Sequence, residues 1–233
     1  MNRELELLSR ILSLGVERGE IDSNSFKGVK KLPMNNKLTR YLTGEEEPRL
    51  MAALTERRAH LRPIVLIALH TGMRRDEILS LRWEQVDFVR QSIELLKTKS
   101  GKPRTVPMNA VVNDVLSAMS RGARESECVF VNPGTGKPLT DIKNAFRSAL
   151  TEAGIEGLRF HDLRHTAGTR MADANVPIAV IAEILGHKDI RTTMRYVHAT
   201  DEGKRRAVKS LERVVPNLAT RRNSSLLRAA VSH

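Results

Sequence analysis

The sequence holds a single cysteine, Cys128. One thiol excludes an internal disulfide and any zinc site built on paired cysteines, and its place in the apolar run Cys128-Val129-Phe130-Val131 predicts a buried, inert side chain on an edge strand. Aromatic residues are scarce, at 3% of the chain, and form no patch. Stacking of successive bases on exposed rings is therefore not expected, and Trp83 and Phe88 are assigned to the core. No apolar run approaches the roughly 20 residues that cross a bilayer, and the longest, Ile64 to Leu69, reads as a buried helix. The N-terminus lacks a basic segment followed by an apolar stretch and a small-residue cleavage site, so a cytoplasmic protein without membrane contact is expected.

Negative charge is also in short supply, with 27 Asp and Glu against 39 Lys and Arg, a net charge of +12. Such a surplus favours a polyanionic partner through counterion release, with nucleic acid the first candidate. Charge alone does not separate that partner from a solvated lysine-rich face, so the residue chemistry has to decide.

Leu5, Leu8, Ile11, Leu12 and Val16 recur at near-helical spacing and predict an amphipathic helix over residues 2–18. Turn formers and lysines from Asp22 to Asn36 then read as a linker. Thr43 and Glu46 have the spacing of a capping box heading a helix to about Arg57. Pro63 suits the first turn of a second helix that ends at Gly72, and a short one is expected over 76–81. Alternation at Ile93 and Leu95, a basic tip from Lys97 to Lys102, and an extended piece over 104–107 predict a hairpin. Asn109 is placed to cap the next helix. Further helices fit 140–150, 162–174, 177–185, 190–196 and 207–215, and the polar end reads as a flexible tail. The fold class expected is mainly α (α+β), with a small antiparallel sheet.

Breaking and rejoining a DNA strand without a metal requires a nucleophile, cations on the nonbridging phosphate oxygens, and a proton donor for the leaving 5′ oxygen. Thr71-Gly72-Met73-Arg74 puts an arginine just after a helix-ending glycine, and His161-Asp162-Leu163-Arg164 puts a histidine and an arginine on one helix face. Leu185-Gly186-His187 precedes Tyr196, one of the chain's 2 tyrosines. The other, Tyr41, has no comparable residues around it in sequence.

In this order and spacing, the pieces resemble the signature of the tyrosine recombinases, the phage-type integrases. Arg74, a lysine on the hairpin, His161 with Arg164, His187 and Tyr196 match that pattern over roughly residues 40 to 200, and Glu77 matches its acidic position. Lys97, Lys99 and Lys102 compete for the hairpin place, and the family pattern selects Lys99. Planar, permanently charged guanidinium groups at Arg74 and Arg164 suit a bidentate clamp on the scissile phosphate. The resemblance implies Tyr196 as nucleophile, Lys99 as proton donor to the 5′ oxygen, His161 as base or proton relay, His187 as a hydrogen-bond donor to a nonbridging oxygen, and Glu77 as support for a basic neighbour. It implies a helical catalytic domain at 37–215, preceded by the last helix and linker of a core-binding domain at 1–36 and followed by a tail at 216–233.

The partners so implied are double-stranded DNA, further copies forming a homotetramer on it, and accessory DNA-bending proteins. No cofactor is expected, because a phosphotyrosyl diester retains the energy of the bond it replaces. His161 and His165, four apart, could suggest a zinc pair, but the metalloprotease glutamate is missing and Arg164 would repel a cation, so no metal is expected. Alternatives are a catalytically weak, truncated integrase acting as a binding module, and a type IB topoisomerase.

Overall fold

The computed structural model describes residues 2–29, 40–96, 103–120, 127–132, 134–196 and 208–209. The chain divides between Thr39 and Arg40 into two compact units. The first holds helix α1 (Asn2–Glu17) and the turns after it, fastened by Asn24, whose side-chain amide donates to the Ser9 carbonyl at 2.9 Å and to Ser13 Oγ at 2.8 Å. Leu7 and Ile11 stay exposed on this helix.

The second unit is built around α3 (Leu61–Thr71), whose Leu61, Ile64, Val65, Ile67, Ala68 and Leu69 are all buried. An element apolar on all sides needs cover all round, and α3 packs against both α5 (Ala110–Met119) and α7 (Phe160–Asp173). Burying each such Leu or Ile contributes about 1.5–3 kcal/mol. Around this core lie α2 (Glu46–Ala53), α4 (Arg75–Leu79), α6 (Lys143–Glu152) and α8 (Ile178–Leu185). The Thr43 hydroxyl accepts from the Glu46 amide at 3.2 Å while the Glu46 carboxylate accepts from the Thr43 amide at 3.0 Å, closing the capping box of α2. Asn109 caps α5 through a 3.1 Å bond from the Val112 amide.

Strands β1 (Val86–Asp87), β2 (Ser92–Leu95) and β3 (Arg104–Pro107) form an antiparallel sheet in that order, with Ile93 opposite Val106 and Leu95 opposite Arg104. The basic tip, Lys99 included, lies outside the described residues. This mainly helical fold with a small antiparallel sheet is the class the sequence implies.

Several local expectations are corrected. The edge strand over 128–131 is replaced by isolated bridges, Arg82 to Cys128 and Val131 to Pro138, and Pro138 has no N–H with which to extend the second into a ladder. Cys128 is only partly buried. Phe88 is exposed, since it sits in the β1–β2 turn where Asp87 Oδ1 accepts from the Val89 and Arg90 amides. Trp83 does pack against the core, partly buried. In place of one helix over 190–196 there are two 3₁₀ turns, Ile190–Thr192 and Met194–Tyr196. The run of β-branched Ile190, Thr192 and Thr193 disfavours a regular α-helix, and the fully buried Thr193 is tied to His187. Of the helix expected over 207–215, only residues 208–209 are described.

Candidate active site

Three arginines converge on the end of α8. Arg104 Nε donates to the Ile184 carbonyl at 3.2 Å, Arg164 Nη2 to the Leu185 carbonyl, and Arg74 Nη2 to the Gly186 carbonyl at 2.9 Å. The last carbonyls of a helix have no partners within it and carry the negative end of its dipole, so they hold cations well. Gly186 permits this: its φ is +64°, and a Cβ there would lie 2.9 Å from Arg104 Nη1.

The sequence order of these groups says little of how they are held. Arg74 precedes α4, and the Glu77 carboxylate accepts from both the Arg74 amide (2.8 Å) and Arg74 Nη1 (2.9 Å). The same carboxylate takes a fork from Arg104, with Nη1 at 2.8 Å and Nη2 at 2.7 Å. Burial alone would raise the Glu77 pKa, but the bonds and charges of Arg104 and Arg74 outweigh it and bring it down to about 2. Arg164, only 3% exposed, also donates to the Gly72 carbonyl at 2.7 Å, and among the described residues it makes no ion pair with a carboxylate. Burial, together with Arg74, lowers its pKa to about 10, which leaves it charged at neutral pH.

Tyr196 closes the arrangement. It is 2% exposed, and its hydroxyl bonds His165 Nδ1 at 2.8 Å. His161 stands edge-on to His165 with ring centroids 4.9 Å apart, and the His187 ring lies near-parallel to Tyr196 at 6.5 Å. His187 Nδ1 in turn meets Thr193 Oγ1 at 2.7 Å. Burial is the main reason that the pKa values of His165 and His187 fall to about 4; neighbouring cations, Arg164 and Arg195 among them, add to it. His161 is lowered as well, by desolvation first and Arg164 second. Burial raises the Tyr196 phenol, while Arg164 and Arg195 pull against it.

Gly168 of α7 makes room for the Tyr196 ring: a Cβ there would lie 2.7 Å from Cε2 and Cζ. Gly168→Ala is therefore expected to displace the ring by about 1 Å and to break the bond between its hydroxyl and His165. Stability should fall by about 0–2 kcal/mol, since about 1 kcal/mol of helix propensity gained offsets only part of about 1–3 kcal/mol of overpacking. The ultraviolet difference spectrum of the tyrosine and thermal unfolding of the variant check both halves.

The structure thus gathers Arg74, Glu77, His161, Arg164, His187 and Tyr196, whereas Lys99 lies outside the described residues. Sequence reasoning missed Arg104, whose pairing with Glu77 spans 27 positions, and His165, which is the hydroxyl's partner where His161 had been expected. The spacing of His161 and His165 on one helix face was the available signal. Beside the site a cavity of about 520 Å³ has Arg74, Arg75, Lys143, Arg147, Arg159 and His161 in its lining, with Asp76 its one acidic residue, together with Phe146 and Phe160. Among the described residues no cluster of His, Cys, Asp or Glu is suited to a metal ion, and no helix is long and apolar enough to cross a membrane.

The sequence model described as the phage integrase family matches residues 40–203. A shufflon-specific DNA recombinase of Escherichia coli is 36% identical over 197 residues, covering 84% of this chain and 50% of that protein. An integrase of Salmonella phage P22 is 32% identical over 84% of this chain and 54% of its own. The chain therefore spans about half the length of these curated relatives. Among solved structures, the Tn1549 transposon integrase in complex with a circular intermediate DNA shares the fold, with a TM-score of 0.76 at 22% identity over 90% of this chain and 78% of that one. A lambda integrase dimer bound to a core site gives 0.70 at 18% identity, over 87% and 59%.

Proposed function

The chain belongs to the phage integrase family, and from that premise we propose that it is a site-specific DNA recombinase that cleaves and rejoins strands through a 3′-phosphotyrosyl bond to Tyr196. The observation that carries this reading is Arg164, a buried guanidinium held among the described residues by the Gly72 and Leu185 carbonyls, with its charge felt at the buried Tyr196 phenol. A buried cation without a counterion is costly, and an anion entering beside it recovers that cost. The scissile phosphate is such an anion. Arg74, partly exposed and steered by Glu77, supplies the second arm of the clamp.

The other roles follow from chemistry and family. The two guanidiniums stabilise the charge that grows on the nonbridging oxygens. Lys99 protonates the departing 5′ oxygen, His187 donates to a nonbridging oxygen, and His161 relays protons. The basic residues lining the cavity beside the site contact the backbone of double-stranded DNA. The rejoining step needs no cofactor, because a 5′ hydroxyl attacks a diester of equal energy. Further copies of the chain assemble on DNA as a tetramer, so that strands exchange between duplexes.

Covalent capture tests the reading. Incubated with a pool of randomised nicked duplexes, from which the 5′ end beyond the nick diffuses away, the wild-type chain should accumulate a protein–DNA adduct stable to detergent. Tyr196→Phe should accumulate none while still shifting DNA in a gel. No adduct from wild type under any condition would leave a DNA-binding module; relaxation of supercoils without partner exchange would favour a type IB topoisomerase.

A further inference from the structure

Resting on the recombinase reading, we propose that His165 is a catalytic residue, the group that takes the proton from the Tyr196 hydroxyl as that oxygen attacks phosphorus. His165 Nδ1 lies 2.8 Å from the hydroxyl oxygen, the separation across which a general base acts. Both side chains are buried, Tyr196 to 2% and His165 to 9% exposure, so bulk water does not compete for that proton. Gly168, one turn of α7 on from His165 and Arg164, leaves the space in which the Tyr196 ring rests. His161, which lies on the same helix face, stacks edge-on against His165 and is the next site for the proton.

The surroundings make His165 an acceptor that responds to substrate. Facing it are His161, Asp162 and Arg164 from its own helix, and Arg195 and Tyr196 from the last 3₁₀ turn; His187 lies on the Tyr196 ring. Burial and the net positive charge of this set keep the imidazole neutral at pH 7, and the proposed role requires its Nε2–H tautomer, with a bare Nδ1 toward the phenol. A phosphate seated on Arg74 and Arg164 adds negative charge, which cancels part of that repulsion and strengthens the base when there is a bond to break.

The step balances as follows. The Oη–P bond forms while the P–O5′ bond breaks, the phenolic proton passes to His165 Nδ1, and the 5′ oxygen receives a proton from the donor proposed above, Lys99. On rejoining, the 5′ oxygen gives its proton back to the lysine and re-forms the P–O5′ bond, the Oη–P bond breaks, and His165 reprotonates Oη.

The test measures single-turnover cleavage of a captured duplex by the full chain, for wild type, His165→Ala and the closer-fitting His165→Gln, between about pH 6 and about pH 9. Both variants should cleave about 100-fold more slowly at neutral pH. Their rates should climb toward tenfold per pH unit as hydroxide replaces the base, while wild type stays nearly flat. A 5′-bridging phosphorothiolate, whose thiolate leaves without a proton, should rescue Lys99→Ala and not the His165 variants. Thermal unfolding of His165→Gln near the wild-type midpoint excludes a folding defect. Wild-type rates in folded His165 variants, or reduced rates that keep the wild-type pH profile, overturn this inference and leave the recombinase reading intact. Failure of wild type to form any adduct overturns both.

Discussion

Arg164→Ala is expected to slow strand cleavage by about 10³-fold or more at neutral pH, with a far smaller loss in DNA affinity. The asymmetry follows from burial. A guanidinium 3% exposed contributes little to the long-range attraction of a duplex, which exposed lysines and arginines dominate. In the proposed reaction it acts at short range, on charge that appears only as phosphorus becomes five-coordinate. Arg164→Lys should recover little, because a single ammonium cannot span the Gly72 and Leu185 carbonyls and still face a phosphate. Adduct formation against gel-shift titration separates the two effects; equal losses in both would show that Arg164 acts in binding alone.

The second large effect concerns stability. Glu77→Ala should lower unfolding free energy by about 3–5 kcal/mol, since it strands the Arg104 guanidinium, 8% exposed, without its carboxylate. Chemical denaturation reads this directly. The same carboxylate fixes a pH dependence. Its folded pKa is about 2, below its ordinary value of 4.5, so its stabilisation is complete above about pH 5 and is lost as pH falls toward 2. The size of that loss is on the order of 3 kcal/mol. Glu77→Gln should flatten this limb of the stability curve. An unchanged acid limb would mean that other carboxylates govern it.

Much of this was legible in the sequence, and what was legible has a common cause. Short-range rules wrote the capping box of Thr43 and Glu46, the left-handed stop at Gly72, and the cap at Asn109, because each involves residues within a turn of one another. The signature residues could be read for the same reason: Arg164 follows His161 by three positions and Glu77 follows Arg74 by three, and each pair shares a helix end or face. Long-range partnerships left no such trace. Nothing local marks Arg104 as the partner of Glu77, or Gly168 as the space beneath Tyr196. His165 was visible only as a rejected zinc ligand, since the choice between it and His161 depends on how the 3₁₀ turn at Met194–Tyr196 orients one ring. That turn was expected as α-helix, and a change in helical pitch alters which histidine the hydroxyl meets.

The end of α8 acts as a common datum for the proposed phosphate clamp. Arg74, Arg104 and Arg164 come from three separate elements, yet each is indexed to one of three consecutive carbonyls, those of Ile184, Leu185 and Gly186. His187 follows at once in the chain. Errors in position are therefore shared: a shift of this helix end carries both arms of the clamp and their brace in the same direction, preserving their mutual spacing while changing their distance from the attacking oxygen. Such a site stays in tune within itself, and its readiness reduces to a single coordinate, the gap between one helix terminus and one phenol.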